Sequence, residues 1–139
     1  VKEELKKQAG ELLNTIYQSA VSDTTFHEIS HLFSKNAETQ SEQEENYNSL
    51  KDSIRSDDGT GITEITLSGI TAGIEKYIYE PRLEVSLVFS YEYKYKAKDW
   101  WTDEIYDDTG KSPGYASLGF TYEDGKWLLC DTNLNSIYY

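Results

Sequence analysis

Two histidines stand four residues apart in the segment His27-Glu28-Ile29-Ser30-His31. On an α-helix, residues four apart share a face, so both imidazoles could bind one Zn²⁺ while Glu28 polarises a zinc-bound water. The segment therefore carries the residue types of a zinc hydrolase. Such a site also needs a third protein ligand, and the downstream candidates are Glu42, Glu44 and Glu45.

The surroundings of this motif argue against a metal site. Zinc proteases that resemble it carry a sheet upstream of the metal-binding helix, and the edge of that sheet aligns the substrate. Here only 26 residues precede His27, and their pattern predicts a helix. We therefore expect that the chain binds no metal and no cofactor. Zinc hydrolysis through His27 and His31 is the alternative to this expectation.

Five acidic and four large apolar residues share the ten positions from Asp99 to Asp108. Aromatic faces beside carboxylates can hold a cationic group, and exposed Trp and Tyr are typical anchors of protein–protein contacts. Turn-forming residues follow at positions 110–114, so the pattern predicts a long loop, which is often a functional site. The candidate binding residues are Trp100, Trp101, Asp103, Glu104, Tyr106, Asp107 and Asp108. The alternative is that both tryptophans cap an open end of the core.

The overall charge narrows the choice of partner. Thirteen Lys and Arg stand against 25 Asp and Glu, which gives a formal net charge of −12. This charge is spread evenly and repels phosphate, so we expect no nucleic-acid partner and no contact with anionic lipid. A protein or a cationic small ligand is a better match to the negative charge of the chain. Association of the chain with itself into a homo-oligomer is a further alternative. The single Cys130 excludes an intramolecular disulfide.

The first third of the chain has the periodicity of helices. Apolar residues recur at three- and four-residue steps from Leu5 to Ala20 and predict a long amphipathic helix. A short second helix carries Phe26, Ile29 and Phe33 on one face, and a third carries Tyr47, Leu50 and Ile54. Capping-box spacing places helix starts near Thr25 and Ser41. The polar stretch 34–45 is predicted to be a mobile connection.

The last 79 residues have the alternation of strands. After Pro81, one parity from Leu83 to Tyr95 is wholly apolar or aromatic, and the other is polar with Val88 as the exception. Shorter alternating runs occupy 63–67 and 116–122. Asp124-Gly125 predicts a two-residue hairpin turn, with Trp127 and Leu129 on the returning strand. Residues 69–79 fit either a helix or a strand, and residues 136–139 predict a short edge strand.

Helices followed by strands that end in Tyr122-Glu123-Asp124-Gly125-Lys126-Trp127 resemble the NTF2-like, cystatin-like cone. This hairpin motif is similar to that of extracytoplasmic NTF2-like domains of Gram-positive bacteria. These include the C-terminal domains of teicoplanin-resistance-associated membrane proteins and conjugation or type IV secretion assembly factors. The resemblance implies an α+β fold with N-terminal helices packed on a curved antiparallel sheet. It also implies a domain held outside the membrane by an anchor.

The expected function follows from these observations. Residues 1–139 are expected to form one domain, and because they contain no methionine we expect it to be excised or processed from a longer membrane-anchored or secreted protein. NTF2-like enzymes such as isomerases and dehydratases use buried Asp, His and Tyr for proton transfer. Here no Asp or Glu lies on the apolar parity between Leu83 and Tyr95, so that alternative lacks its base. We expect a non-catalytic, extracytoplasmic binding or assembly module.

Overall fold

The computed structural model describes residues 2–56, 58–76, 82–134 and 137. The helical part contains α1 (Lys2–Val21), α2 (Phe26–Ile29), a 3₁₀ turn (Ser30–Leu32) and α3 (Ala37–Ile54). The sheet contains β1 (Gly61–Lys76), β2 (Arg82–Lys98), β3 (Ile105–Glu123) and β4 (Lys126–Leu134). The strands pair antiparallel in the order β1-β2-β3-β4. The predicted α+β class is confirmed.

Strand β2 lies inside the sheet, and its odd-numbered face forms the middle of the core. Val85 and Leu87 are fully buried, and Phe89 and Tyr91 are at most 4% exposed. The even-numbered face points away from the helices, where Val88 is 55% exposed. Side chains alternate between the two faces along the whole of β2, as a strand requires. The predicted strand and its inward face are therefore confirmed.

Helix α1 covers the inner face of the sheet. Its predicted apolar stripe is buried, and the ring of Tyr17 lies 6.1 Å from the ring of Phe89. Two side-chain amides fasten the helix to the strands at its sides. The amide of Gln18 donates to the carbonyl of Ile65 at 2.6 Å, and that of Gln8 donates to the carbonyl of Trp127 at 3.4 Å.

The prediction of a mobile connection at 34–45 is wrong, because α3 already begins at Ala37. The side chain of Asn36 caps this helix by accepting a hydrogen bond from the backbone of Thr39. Helix α3 buries the polar residue Gln43, which is only 2% exposed. Its amide reaches the carbonyl of Cys130, and its oxygen accepts from the hydroxyl of Thr132. A polar residue at an inward position interrupts the apolar periodicity that would have indicated a helix.

The predicted helix caps also need correction. Ser41 lies inside α3 rather than at its start. Thr25 does occupy the N-cap position of α2, but its side chain makes no capping hydrogen bond. The helix begins after Thr25 because the backbone of Thr25 has an extended rather than a helical conformation.

Two β-bulges in β1 change which residues face the core. The first, between positions 62 and 64, buries Ile62 at 3% exposure and leaves the predicted inward Thr63 exposed. The second separates Ser68 from Thr71, with Gly69 at a φ of 60°. The ambiguous segment is a strand from 69 to 76, and its remainder at 77–79 lies outside the described residues.

The predicted turn residues at positions 110–114 belong instead to strand β3. Gly110 pairs with Tyr93 and Gly114 pairs with Phe89. A Cβ atom added to Gly114 would lie 2.5 Å from Cε2 of Phe89, so the ring occupies the space above the glycine. These glycines provide room for aromatic rings of the neighbouring strand, which is a common reason for glycine within a sheet.

The second hairpin has the predicted turn. Asp124 and Gly125 both have positive φ, 50° and 79°, as a two-residue hairpin turn requires. A β-bulge shifts the β3–β4 register between Gly119 and Phe120, and Leu128 and Leu129 of β4 are both buried. Tyr122, which was predicted to face inward, is 60% exposed and packs on the edge of Trp127. Of the predicted edge strand at 136–139, only Ile137 is described, and it is buried.

Cations from α3 satisfy the carbonyl groups at the end of α1. Arg55 donates to the carbonyl of Val21 at 2.7 Å, and Lys51 donates to that of Thr24 at 3.3 Å. The hydroxyl of Tyr47 also donates to Thr24, at 2.7 Å. Positive charge at a helix C-terminus is favourable because it opposes the helix dipole.

Replacement of a single residue on β2 tests the assignment of its faces. Leu87→Ala should lower the free energy of unfolding by roughly 2–5 kcal/mol, because it leaves a cavity in the core. Ser86→Ala, the matched change on the outer face, should alter it by less than about 0.5 kcal/mol. Urea unfolding followed by circular dichroism measures both. Similar losses at the two positions would show that the register is wrong.

Tyr47 should make stability depend on alkaline pH. Burial, followed by the negative charges of Asp23 and Glu28, raises the pKa of Tyr47 to about 12. The folded state therefore favours the neutral phenol, so this contribution is complete below the unfolded pKa of about 10 and is lost as pH rises towards 12. Tyr47→Phe should cost about 1 kcal/mol near neutral pH. The difference from wild type should shrink between about pH 9 and pH 12, and a constant difference would contradict the assignment.

Candidate functional site

The connection between β2 and β3 is a tight turn rather than the predicted long loop. The carboxylate of Asp99 accepts hydrogen bonds from the backbone of Trp101 and Thr102, at 2.8 and 3.1 Å. The backbone of Asp99 closes the hairpin by donating to the carbonyl of Glu104. Asp103 has a φ of 58°, a conformation that Asp tolerates better than most residues. We call residues 99–104 the hairpin tip.

The two tryptophans dominate the surface of the hairpin tip. Trp100 and Trp101 are each 78% exposed, and their ring centroids lie 4.4 Å apart. The interpretation that these rings cap the core is therefore wrong, since they contact each other rather than buried residues. Two adjacent indoles in water leave a large apolar area uncovered, which is uncommon away from a contact surface.

The predicted acidic site is divided by the sheet. Trp100, Trp101, Asp103 and Glu104 lie together at the hairpin tip. Tyr106 and Asp108 project on the face that carries Tyr95, because residues directly opposite in a ladder share a face. Asp107 lies on the outer face, where Lys96 forms an ion pair with it at 2.9 Å. Of the predicted acidic site residues, only Asp103 and Glu104 therefore lie at the tip.

The carboxylate of Asp108 is engaged within its own sheet. It accepts a hydrogen bond from the hydroxyl of Tyr95 at 3.3 Å, and its other oxygen accepts from the backbone of Thr109. Burial and then the charge of Asp108 raise the pKa of the Tyr95 phenol. Asp108 therefore supports the strand pair.

A row of aromatic rings joins the core to the hairpin. Phe89, Tyr91, Tyr93 and Tyr95 alternate along β2, and successive ring centroids are 6.1, 5.8 and 5.6 Å apart. Residues 105–109 on the paired strand are all exposed, so the outer end of the hairpin extends away from the helices. The row supports this extended pair by cross-strand and same-face packing. The parity pattern of the sequence predicted these rings as core but not as a support for the tip.

The two histidines do not meet the requirements of a zinc site. His27 lies in α2, which ends at Ile29, and His31 lies in the following 3₁₀ turn. Residues four apart share a face on an α-helix but not on a 3₁₀ helix, so the change of helix type separates the faces of His27 and His31. Both side chains are exposed, and Glu42, Glu44 and Glu45 are exposed on α3. Within the described ranges no three His, Cys, Asp or Glu side chains form a group that could hold a metal ion.

Apart from tyrosine, no ionisable side chain is buried in the described part of the core. Its buried polar residues there, apart from tyrosine, are Ser34, Gln43 and Ser117. None of these ionises near neutral pH, and the space between α1 and the sheet is filled by apolar and aromatic side chains.

Among the helices that the structure describes, none is both long enough and apolar enough to cross a bilayer.

Comparison with solved structures identifies proteins of similar fold. The intermembrane space region of the chloroplast protein ARC6 superposes with a TM-score of 0.50 and 10% identity, over 94% of this chain and 96% of that one. A proposed dehydratase from the NTF2-like family of Streptomyces avermitilis superposes with a TM-score of 0.51 and 11% identity, over 98% and 99%. At such identities the similarity concerns the fold alone.

The chain is therefore an α+β protein whose fold is that of the NTF2-like cone. No protein-family profile matches it, and no curated protein does. The fold hosts both enzymes and binding proteins, so the function has to be argued from the site.

The histidine geometry leads to a metal-binding prediction. We expect that the purified protein retains no stoichiometric Zn²⁺ after dialysis, because two exposed imidazoles without a third ligand bind zinc weakly. Elemental analysis by mass spectrometry measures the metal content. A content of about one zinc per chain that disappears in a His27→Ala/His31→Ala variant would contradict the prediction and restore the hydrolase alternative.

Proposed function

We propose that this protein is a non-catalytic binding or assembly module that contacts a partner through the hairpin tip. The observation that carries the proposal is the pair of adjacent, 78% exposed indoles of Trp100 and Trp101. Tryptophan is enriched among residues that dominate binding energy at protein interfaces, since it buries a large apolar area at little conformational cost.

The surroundings of the indoles define the chemistry of the partner. Asp103 and Glu104 are exposed beside them and add negative charge to a protein whose net charge is −12. An approaching surface must therefore supply an apolar recess together with Lys or Arg side chains. The open faces of the indoles also favour such cations through cation–π attraction. A basic protein segment or an amine-bearing ligand satisfies both conditions.

The turn that holds the indoles is preorganised for binding. Asp99 and the hairpin hydrogen bonds hold the backbone of residues 99–104, and the aromatic row supports the strands beneath it. A rigid anchor loses less conformational entropy on association than a mobile loop does. The same hydrogen bonds occupy the carboxylate of Asp99, which makes it a structural residue rather than a contact residue.

The catalytic alternatives receive less support from the structure. A pocket enzyme of the isomerase or dehydratase type needs an ionisable group in an enclosed apolar site, and apart from tyrosine no ionisable side chain is buried in the described core. The zinc alternative needs a third ligand near His27 and His31. We also propose an extracytoplasmic location through an anchor, on the resemblance to envelope proteins that the Tyr122–Trp127 hairpin motif carries.

A basic peptide serves as the probe for the tip. A synthetic peptide that alternates Arg and Leu should bind wild type and change the tryptophan fluorescence. The double change Trp100→Ala/Trp101→Ala should weaken binding by about 2 kcal/mol or more, roughly 30-fold in Kd. Isothermal titration calorimetry gives the Kd for the variant, which lacks the reporting indoles.

Tyr115→Ala provides the matched control, because Tyr115 is also exposed, at 52%, but lies on the outer sheet face. The control should bind like wild type, and all three proteins should have similar thermal unfolding midpoints. Equal Kd values for the control and the tryptophan variant would refute the proposal. So would a loss of folding stability in the tryptophan variant without a separate loss of binding.

A further inference from the structure

A groove of about 870 Å³ runs between helix α1 and the edge strand β1. Strand β1 lines the floor of the groove with apolar residues, among them Leu67, Ile70 and Ala72, and with Thr66 and Thr71. Its helical wall carries Lys6, Lys7 and Gly10. The volume lies in the range of roughly 300–1,000 Å³ that is typical of ligand sites in proteins. β1 is the outermost strand on this side, so the groove opens to solvent along the edge of the sheet.

The floor of the groove is shaped by the second bulge of β1. Gly69, at a φ of 60°, lies between Ser68 and Thr71, where the register shifts. The bulge leaves Ile70 37% exposed, one of the exposed large apolar residues of the chain. Bulges commonly re-aim a side chain or end a pairing, and here the bulge presents an apolar side chain to the groove.

Gly10 gives the groove its depth. Glycine within a helix costs roughly 0.5–1 kcal/mol relative to alanine, and it normally needs a steric reason. At Gly10 an added Cβ would lie 3.6 Å from Cγ2 of Ile70, an ordinary contact distance. Close packing therefore does not require this glycine. Its effect is to leave open a space above Ile70 that any larger side chain would fill.

The charges around the groove balance one another, whereas the hairpin tip is acidic. Lys6 pairs with Glu3 at 3.3 Å, and within the described residues Lys7 forms no ion pair with a carboxylate. Glu3, Glu11 and the two lysines make the groove locally neutral in a chain of net charge −12. The hairpin tip combines two indoles with Asp103 and Glu104. The groove therefore offers the tip apolar side chains and Lys7, in a place that lacks the net negative charge of the rest of the protein.

We infer that the groove of one copy of this protein receives the hairpin tip of a second copy. The inference rests on the proposed function, because it names the partner of the tip. In this contact the indoles of Trp100 and Trp101 cover Ile70 and Leu67, and Glu104 or Asp103 approaches Lys7. Different surfaces meet, so the contact is heterologous, and repetition of it produces chains or rings of copies. Association should be weak, since two aromatic anchors bury a small area.

Sedimentation velocity of the full chain tests this inference. Wild type should associate beyond a dimer as its concentration rises to the order of 0.1–1 mM. Trp100→Ala/Trp101→Ala removes the tip contact, and Gly10→Leu fills the groove while retaining a good helix former. Each variant alone should remain monomeric. An equimolar mixture should form a 1:1 dimer and nothing larger, because it contains one intact tip and one intact groove.

Lys7→Glu and Lys126→Glu separate the groove from a general charge effect. Both lysines are exposed, and only Lys7 lines the groove. Lys7→Glu should weaken association by at least about fivefold, which corresponds to roughly 1 kcal/mol. Lys126→Glu, with the same change in net charge, should associate like wild type. Circular dichroism should show that every variant remains folded.

The outcomes distinguish this inference from the proposed function. A wild-type protein that stays monomeric throughout the concentration range, or a mixture of variants that stays monomeric, overturns self-association. If the tip then still binds the basic peptide in a tryptophan-dependent way, the proposed function stands with a different partner. If the tryptophan variant associates and binds peptide as wild type does, both proposals fail.

Discussion

The burial of one face of β2 is the constraint on which the rest of the structure depends. Val85, Leu87 and Phe89 lie at the centre of a sheet that has neighbours on both sides, and α1 closes over them. β2 is paired with β1 on one side and with β3 on the other, and Tyr17 of α1 contacts Phe89, so burial on this face couples helix to sheet and strand to strand. Because side chains on a strand alternate strictly, the same pattern that builds the core also continues outward as Tyr91, Tyr93 and Tyr95.

Sequence reasoning succeeded where one physical period dominated. The stripe on α1 and the alternation on β2 were both predicted, because many apolar residues repeat the same signal. It failed where a single residue departed from the pattern because of its contacts with residues distant in the sequence. Gln43 is buried because Cys130 and Thr132 supply its hydrogen bonds, and those partners lie far away in the chain. Gly110 and Gly114 were interpreted as turns because no local signal reveals the rings that cover them.

The candidate site was predicted in composition but not in geometry. The density of Trp and carboxylate from 99 to 108 correctly marked an exposed surface. Strand pairing then divided it, since Asp107 and Asp108 point to opposite faces once residues 105–108 join β3. Which carboxylates stay available depends on their neighbours in the ladder, such as Lys96 and Tyr95. Such cross-strand relations require the register, which a single sequence does not provide.

The proposed self-association through the tip and groove would account for two features that folding alone does not require. A helical glycine above an exposed isoleucine lowers stability without relieving a clash, and two adjacent indoles in water expose apolar surface. Natural proteins retain such costs mainly where a surface is used. The two features lie on different parts of the molecule, so neither can cover the other within one copy by small side-chain adjustments. The proposed contact between copies would cover both at once, and it would leave the core that β2 organises unchanged.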